Sequence, residues 1–270
     1  MDPGRNRPTK RVNLELNMRV LVIPDVHLKP WMFNRAEEIL KVENIEQVVC
    51  LMDIPDDWFQ EYNIELYEKT YDAAIAFARN HPEMLWCWGN HDVSYLWGKN
   101  ETGFSGAAWA TILAKTSIFQ KTVEDPSRIA FVHRIDDVLF CHGGLSDRFV
   151  RDHVISRQYN DIDSVINVIN GLSKNDLWND RSPIWLRPQY GEGKMYKPRK
   201  LLQVVGHTPV SHVVQKNNLI SCDVFSTYRN GLPIGTQEFL ILDTKTWDFF
   251  CAKYRELPIS NHVKKESKVR

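Results

Sequence analysis

The residues best equipped for chemistry each stand just beyond an apolar, β-rich run. RVLVIP precedes Asp25 and His27, VVCLM precedes Asp53, LWCWG precedes Asn90, His91 and Asp92, VLFC precedes His142, and LQVVG precedes His207. Carboxylates, imidazoles and an amide oxygen make a donor set that suits Mn²⁺, Fe or Zn²⁺ better than an all-oxygen calcium site or a thiolate structural zinc site. Alternation along an extended segment turns Asp25 and His27 to one side and Val26 to the other, so both can bind a single ion. A carboxylate shared between two ions, a role open to Asp53, would hold them about 3.5–4 Å apart, the spacing that activates a water and clamps an in-line displacement at phosphorus. The chemistry implied is phosphoryl transfer to water.

Taken singly, these signals are weak. Asp-x-His arises by chance, an isolated histidine is usually a satisfied polar residue, and Gly206-His207-Thr208-Pro209 reads equally as a turn after a strand. Their recurrence at five strand ends, in a consistent order, is hard to produce by packing alone. Side chains just past the carboxyl ends of neighbouring strands share one crevice in α/β folds, so positions far apart in sequence can build one site.

The elements that must deliver them follow from the pattern. Strands are predicted at 20–23, 48–52, 84–88, 129–132, 138–141, 202–205, 219–222 and 239–242. Helices are predicted over 63–80, where Ile64, Tyr67, Tyr71, Ala74, Ile75 and Ala78 recur at helical spacing, and near 33–42, 105–118 and 161–171. Strand and helix alternate early and strands dominate after about residue 200, which predicts α/β layers with sheet at the centre. The polar stretch 173–200 shows no regular element, is long for a connector, and is expected to cover a site.

The chain of 270 residues is long enough to bury a full core and is read as one domain over 18–257, between a flexible N-terminal segment 1–17 and a basic tail 258–270. Thirty-four basic and 34 acidic residues cancel, so no global field recruits nucleic acid or membrane. The short basic stretches 5–11 and 264–270 read as solvated ends, a nucleic-acid contact there being unsupported. Five widely spaced cysteines read as reduced core thiols, and no apolar stretch reaches the ~18 residues of a membrane span, so a cytoplasmic protein is expected.

These motifs together resemble the calcineurin-like metallophosphoesterase superfamily, and in particular its phosphoprotein phosphatase branch with bacterial and phage members. The resemblance spans about residues 19–243 and rests on Asp25-Val-His27, Asp53-Ile-Pro-Asp56, Gly89-Asn90-His91-Asp92, His142-Gly-Gly-Leu-Ser146 and Gly206-His207-Thr208-Pro209. Asp176-Leu-Trp-Asn-Asp180 and Trp185-Leu-Arg187 are similar to further elements of the branch. The resemblance implies a two-sheet β-sandwich core flanked by helices. It also implies two divalent ions, Mn²⁺ before Fe or Zn²⁺, the first held by Asp25, His27 and Asp53 and the second by Asp53, Asn90, His142 and His207. By the same resemblance, hydroxide activated by the metals attacks phosphorus and His91 is the general acid, oriented by Asp56. An imidazole near dications needs such a carboxylate partner to stay protonated.

The departures concern substrate. Where the family carries Gly-Asp-x-x-Asp-Arg-Gly, this chain reads Met52-Asp53-Ile-Pro-Asp56-Asp57-Trp58, so an aspartate replaces the phosphate-binding arginine. Either Asp57 turns away or another cation takes the role, with Arg187 the first candidate and Arg181 and Arg199 weaker ones. Pro24 and Leu28 replace the glycines usual before Asp25 and after His27. Asp223 is expected to hydrogen-bond a ligating histidine, and Asp92 reads equally as an outer partner of the site or a loop cap. Trp58, Trp97 and Trp185 are expected in the core, and Cys141 on the buried face of its strand rather than as a nucleophile.

The leading substrate is a phosphomonoester, with phosphoserine and phosphothreonine in proteins implied by the branch and small phosphoesters next. The runner-up takes nucleotides, dinucleoside polyphosphates or nucleic-acid ends. A scaffold that kept the fold and lost catalysis is the third reading, and the full set of ligand-type residues argues against it.

Overall fold

The computed structural model describes residues 18–252 apart from 192. The expected N-terminal segment 1–17 and basic tail 258–270 lie outside the described residues.

Among the described residues eleven strands are seen: β1 Arg19–Ile23, β2 Gln47–Cys50, β3 Leu85–Cys87, β4 Ile129–Ala130, β5 Val132–Ile135, β6 Val138–Cys141, β7 Leu202–Val205, β8 Val214–Lys216, β9 Leu219–Ser221, β10 Phe239–Asp243 and β11 Phe249–Ala252. The helices are α1 Trp31–Val42, α2 Ile64–Asn80, α3 Asn90–Trp97, α4 Trp109–Thr122, α5 Asp147–His153, α6 Ile162–Asn170 and α7 Lys174–Leu177. One sheet of six strands runs β11-β10-β1-β2-β3-β4, and a second of five runs β5-β6-β7-β9-β8. β1 to β4 are mutually parallel in the first, and β6, β7 and β9 in the second. The remaining strands add antiparallel at the margins. The two-sheet sandwich flanked by helices is the architecture that the resemblance implies.

Parallel strands are covered on both faces, which is why their runs are almost wholly apolar. Val20 to Ile23, Val48 to Met52 and Trp86 to Cys87 are buried in one cluster with Val138, Phe140, Val204 and Ile220 of the other sheet. A second cluster forms on the far side of the second sheet, where Leu139, Cys141 and Val205 meet Phe149, Val165 and Ile169 of α5 and α6.

The helix over 63–80 begins one residue later, with the Asn63 side chain accepting the Leu66 N–H at 3.3 Å as its cap. The helix expected from 105 starts at Trp109, because the Ser105 Oγ accepts the Ala108 N–H and holds 105–108 as a turn. The strand expected over 129–132 is two strands in different sheets. At the crossing, Asn170 Oδ1 accepts the N–H groups of Phe131 and Val132 at 3.1 and 2.9 Å, so these leave the ladder without losing a partner. The stretch 173–200 contains the short helix α7 and a 3₁₀ turn at Pro188–Tyr190.

Candidate active site

Each site residue sits where a parallel strand ends. β1 leads to Asp25 and His27, β2 to Asp53, and β3 to Asn90 and His91; from the opposite sheet β6 leads to His142, β7 to His207 and β9 to Asp223. The backbone there is bent out of the extended region, with positive φ at His27, Leu28, Met52, Asp53, Asp56 and His207. Side-chain-bearing residues rarely hold this conformation, and such strain gathers at functional sites. Leu28 and Met52, at φ 55° and 56°, occupy positions where the family pattern has glycine, so the turns keep their shape without it.

Two groups of ligand atoms converge, Asp25 with His27 and Asp53, and Asp53 with His142 and His207, each within 4.8 Å. Asp53 belongs to both. Asn90 joins the second, its Oδ1 lying 3.1 Å from His142 Nε2. All six expected ligands are therefore brought together.

The histidines arrive with one ring nitrogen already committed. His27 Nδ1 donates to the Asp56 carbonyl at 2.9 Å, His142 Nδ1 to the Leu51 carbonyl at 2.9 Å, and His207 Nε2 to the Trp185 carbonyl at 3.0 Å. A carbonyl only accepts, so each bond fixes the tautomer and leaves the other nitrogen's lone pair for a cation. Burial pushes the His27 pKa down to about 4 and that of His207 well below its usual value, which keeps both in the neutral form a ligand needs.

The carboxylates ask for positive charge. Asp25 is buried, its Oδ1 accepts the His207 N–H at 2.7 Å, and its Oδ2 has no hydrogen-bond partner among the described residues. Burial first, then Asp223 and Asp53 nearby, push the Asp25 pKa up. A buried oxygen of this kind is costly unless a cation satisfies it. Two glycines make room for the carboxylates themselves: a Cβ on Gly206 would come within 2.0 Å of Asp25 Oδ2, and one on Gly89 within 1.9 Å of Asp53 Oδ1. The donor set and the orphaned oxygen fit divalent metal ions.

Beside this cluster, His91 Nδ1 bonds Asp56 Oδ2 at 2.8 Å, the pairing expected of a general acid and its carboxylate. Burial alone would push His91 down, but Asp53 and Asp56 outweigh it and hold its pKa up, at about 9. Asp92 fills both roles open to it: it caps its own helix by accepting the Gly89 N–H at 3.1 Å, and it accepts the N–H groups of Asp53 and Ile54 at 2.8 and 3.0 Å, which pins the loop that carries Asp53.

The cluster opens into a cleft of about 310 Å³ lined by His27, Asp53, Asn90, His91 and His207 below and Asp57, Trp58, Glu101, Arg187, Asp223 and Thr227 around. Arg187 is anchored by donation from Nη1 to the His207 carbonyl at 2.8 Å and the Thr208 hydroxyl at 3.3 Å. Arg181 and Arg199 are exposed and do not line the cleft. The charge of Asp57 is paired: Lys29 lies 3.1 Å from Oδ2, while Oδ1 accepts the Trp58 N–H and the Thr227 hydroxyl. Lys29 is only 7% exposed and also donates to the His27 carbonyl, a role that no spacing signal marked.

Two expectations change. Asp223 lines the cleft, but its carboxylate accepts from the Ser226 N–H and hydroxyl and closes its own turn, while backbone carbonyls orient the histidines. Trp58 forms part of the cleft wall, its indole donating to the Thr227 carbonyl at 2.9 Å. Trp97 and Trp185 pack against the core, Trp185 edge-on to His207. Cys141 is buried in the second cluster, and burial pushes its thiol up to about 12, which rules out an activated nucleophile there. Tyr67 and Tyr95, two further groups around Asp56, were not anticipated as site residues; both hydroxyls donate to its Oδ1.

A sandwich whose parallel strands deliver carboxylates, imidazoles and an amide to one buried point, beside an imidazole–carboxylate pair, defines a metal-dependent phosphoester hydrolase. Residues 18–234 match the model of the calcineurin-like phosphoesterase family, and the chain belongs to that family. Among solved structures it is similar to the cold-active protein-tyrosine phosphatase of a psychrophilic Shewanella species, at 17% identity and a TM-score of 0.53, over 88% of this chain and 81% of that one. It is also similar to a metallophosphoesterase from Sphaerobacter thermophilus, at 14% identity and a TM-score of 0.42, over 88% and 89% of the two chains. The first likeness, at 17% identity, speaks to fold alone, and no argument rests on the second. A comparison with curated proteins gives no match.

Proposed function

We propose that the chain hydrolyses phosphate monoesters, with phosphoserine and phosphothreonine in proteins as the substrate class. The observation that carries this reading is the charge around the cleft. Of the described residues lining it, Arg187 is the one permanent cation, whereas Asp57 and Glu101 stand at the wall. One guanidinium suits a single terminal phosphate. A chain of phosphates would lie against Glu101, and the nearest further cations, Lys29 and Arg229, are engaged by Asp57 and the Trp58 ring, while a peptide with basic neighbours would be favoured there.

Two divalent ions bound at the ligand cluster, Mn²⁺ in our reading, would supply Lewis acidity and activate a water near neutral pH. Asp25, His27, Asp53, Asn90, His142 and His207 would hold the ions, Asp53 belonging to both groups of ligands. Arg187 holds the phosphoryl oxygens. His91, its Nδ1 bound to Asp56, gives the proton on Nε2 to the ester oxygen as the P–O bond breaks. The thiols of Cys50, Cys87, Cys141 and Cys222, all buried and outside any disulfide, favour a reducing compartment such as the cytoplasm, and no helix of the described residues is long and apolar enough to cross a membrane.

The nucleotide reading draws on Trp58, an indole at the wall on which a base would stack. Arg229 already lies 4.9 Å over that ring, which argues against it. A panel with Mn²⁺ separates the two: a phosphoserine peptide, p-nitrophenyl phosphate, its bis-ester and diadenosine tetraphosphate. Turnover of the peptide and the monoester is expected. Hydrolysis of the dinucleotide without the peptide would overturn the proposal.

A further inference from the structure

The carboxylate of Asp56 is fully occupied in an asymmetric way. Oδ2 faces His91 Nδ1 at 2.8 Å, and Oδ1 accepts two phenol hydroxyls, Tyr67 at 3.0 Å from α2 and Tyr95 at 2.5 Å from α3. Both tyrosines are buried, at 0% and 1% exposure, so no water competes for these bonds. The Tyr95 oxygen in turn accepts the Ser105 N–H at 2.6 Å, and that bond obliges its own hydrogen to point at Asp56. The Ser105 hydroxyl is held by the Glu61 carbonyl and accepts the Ala108 N–H, so the donor to Tyr95 is itself fixed. Tyr95 stacks on Phe104 with centroids 4.3 Å apart, which sets the plane of the ring.

A carboxylate with one oxygen free can rotate and share its partner between both oxygens. Here Oδ1 has two lone pairs and both are taken, so one orientation remains and Oδ2 alone addresses His91. We propose that Tyr67 and Tyr95 are positioning residues for proton delivery, aligning His91 through Asp56 so that its Nε2 hydrogen meets the leaving oxygen. The inference rests on His91 being the general acid of the proposed function. In that step the ester P–O bond breaks, the alcohol oxygen takes the Nε2 proton, and His91 is left neutral with its Nδ1 hydrogen still on Asp56; ester and water become alcohol and phosphate. Neither tyrosine gives up its proton, and neither touches substrate.

A merely structural clasp would satisfy a buried carboxylate and no more. The two roles separate by leaving group, because a good leaving group departs without a proton and a poor one does not. Tyr67→Phe and Tyr95→Phe are compared with the parent, with Mn²⁺ added, on phenyl phosphate and p-nitrophenyl phosphate. The expected result is a loss of about 10-fold in kcat on phenyl phosphate, a clearly smaller loss on p-nitrophenyl phosphate, and KM within about twofold on both. In a His91→Ala background the same substitutions should cost nothing further, since they act through that ring. An equal loss on both esters, or losses that add to that of His91→Ala, overturns the proposal while leaving the function intact. If His91→Ala itself leaves the ratio between the two esters unchanged, the acid assignment fails and takes the proposal with it. Tyr67→Phe keeps the Tyr95 donor on Oδ1 and carries the test alone if Tyr95→Phe does not fold.

Discussion

His142 Nε2 stands 3.0 Å from Asp53 Oδ2, while its Nδ1 hydrogen is spent on the Leu51 carbonyl. Asn90 Oδ1 lies 3.1 Å from the same nitrogen. Two oxygens and a ring nitrogen thus face one point, and something positive has to sit there. Burial opposes a charged ring, yet Asp53 and Asp25 outweigh it and hold the His142 pKa up, at about 9. A proton fills the role in the chain alone, and a divalent ion displaces it.

Metal and proton therefore compete. Below about pH 9 the metal-free ring carries a proton that must leave on binding, so affinity rises with pH toward that value and falls in acid. Calorimetric titration with Mn²⁺ should show about a tenfold weakening per pH unit between pH 8 and 6 if one proton is exchanged. Affinity independent of pH would contradict this account of His142.

Metal should also stabilise the fold, since it relieves the unpartnered Asp25 oxygen and the repulsion among Asp25, Asp53 and Asp223. At 100 times Kd the gain is about 2.7 kcal/mol, or a Tm rise of about 5–10 °C. Gly206→Ala, whose Cβ would come within 2.0 Å of Asp25 Oδ2, should lose most of that rise in a thermal melt. A full rise in the variant would show that Asp25 is not needed by the ion.

The ligands were legible in the sequence for a physical reason. Strands buried on both faces read as apolar runs, and the polar residue that ends such a run has to face the crevice. The Asp56 surroundings were not. Tyr67 shows helical periodicity and is buried as that predicts, but its hydroxyl meets a carboxylate from another loop, and spacing within one helix carries no trace of that contact. Lys29 and Asp57 are likewise joined only by the fold. Helix α3 hid inside the Gly89-Asn90-His91-Asp92 motif, and β8 and β11 are marginal strands with exposed positions and little alternation. Arg187 could be nominated from its motif, yet its anchorage to the turn after β7 is a tertiary fact.

The acid assignment predicts its own pH limb. His91 acts protonated, so kcat should fall as pH rises past its pKa; Asp53 and Asp56 hold that pKa up in the metal-free chain, and with ions on Asp53 the support that remains is Asp56. Asp56→Asn removes the carboxylate that helps hold it there and should move the limb to lower pH. His91→Ala should lower kcat by about 10²–10⁴-fold with metal content retained. Loss of metal in His91→Ala would make the ring a ligand instead.

Arg187 is fixed at the cleft wall, and the proposed function gives it the role of the arginine absent at Asp57. Arg187→Ala should raise KM for phosphate monoesters by about 10-fold, with a lesser change in kcat, and Arg187→Lys should recover only part because it lacks the planar fork. Steady-state kinetics on p-nitrophenyl phosphate checks this, and an unchanged KM would leave the phosphate with another partner.

The central claim is a two-ion centre joined through Asp53. Elemental analysis of the Mn²⁺-loaded protein after removal of free metal, in the parent and in Asp53→Asn, tests it most directly. The account predicts about two ions per chain in the parent, with most of both lost, and turnover nearly abolished, in the variant. One ion or fewer in the parent, or an Asp53→Asn protein that keeps both, would contradict it.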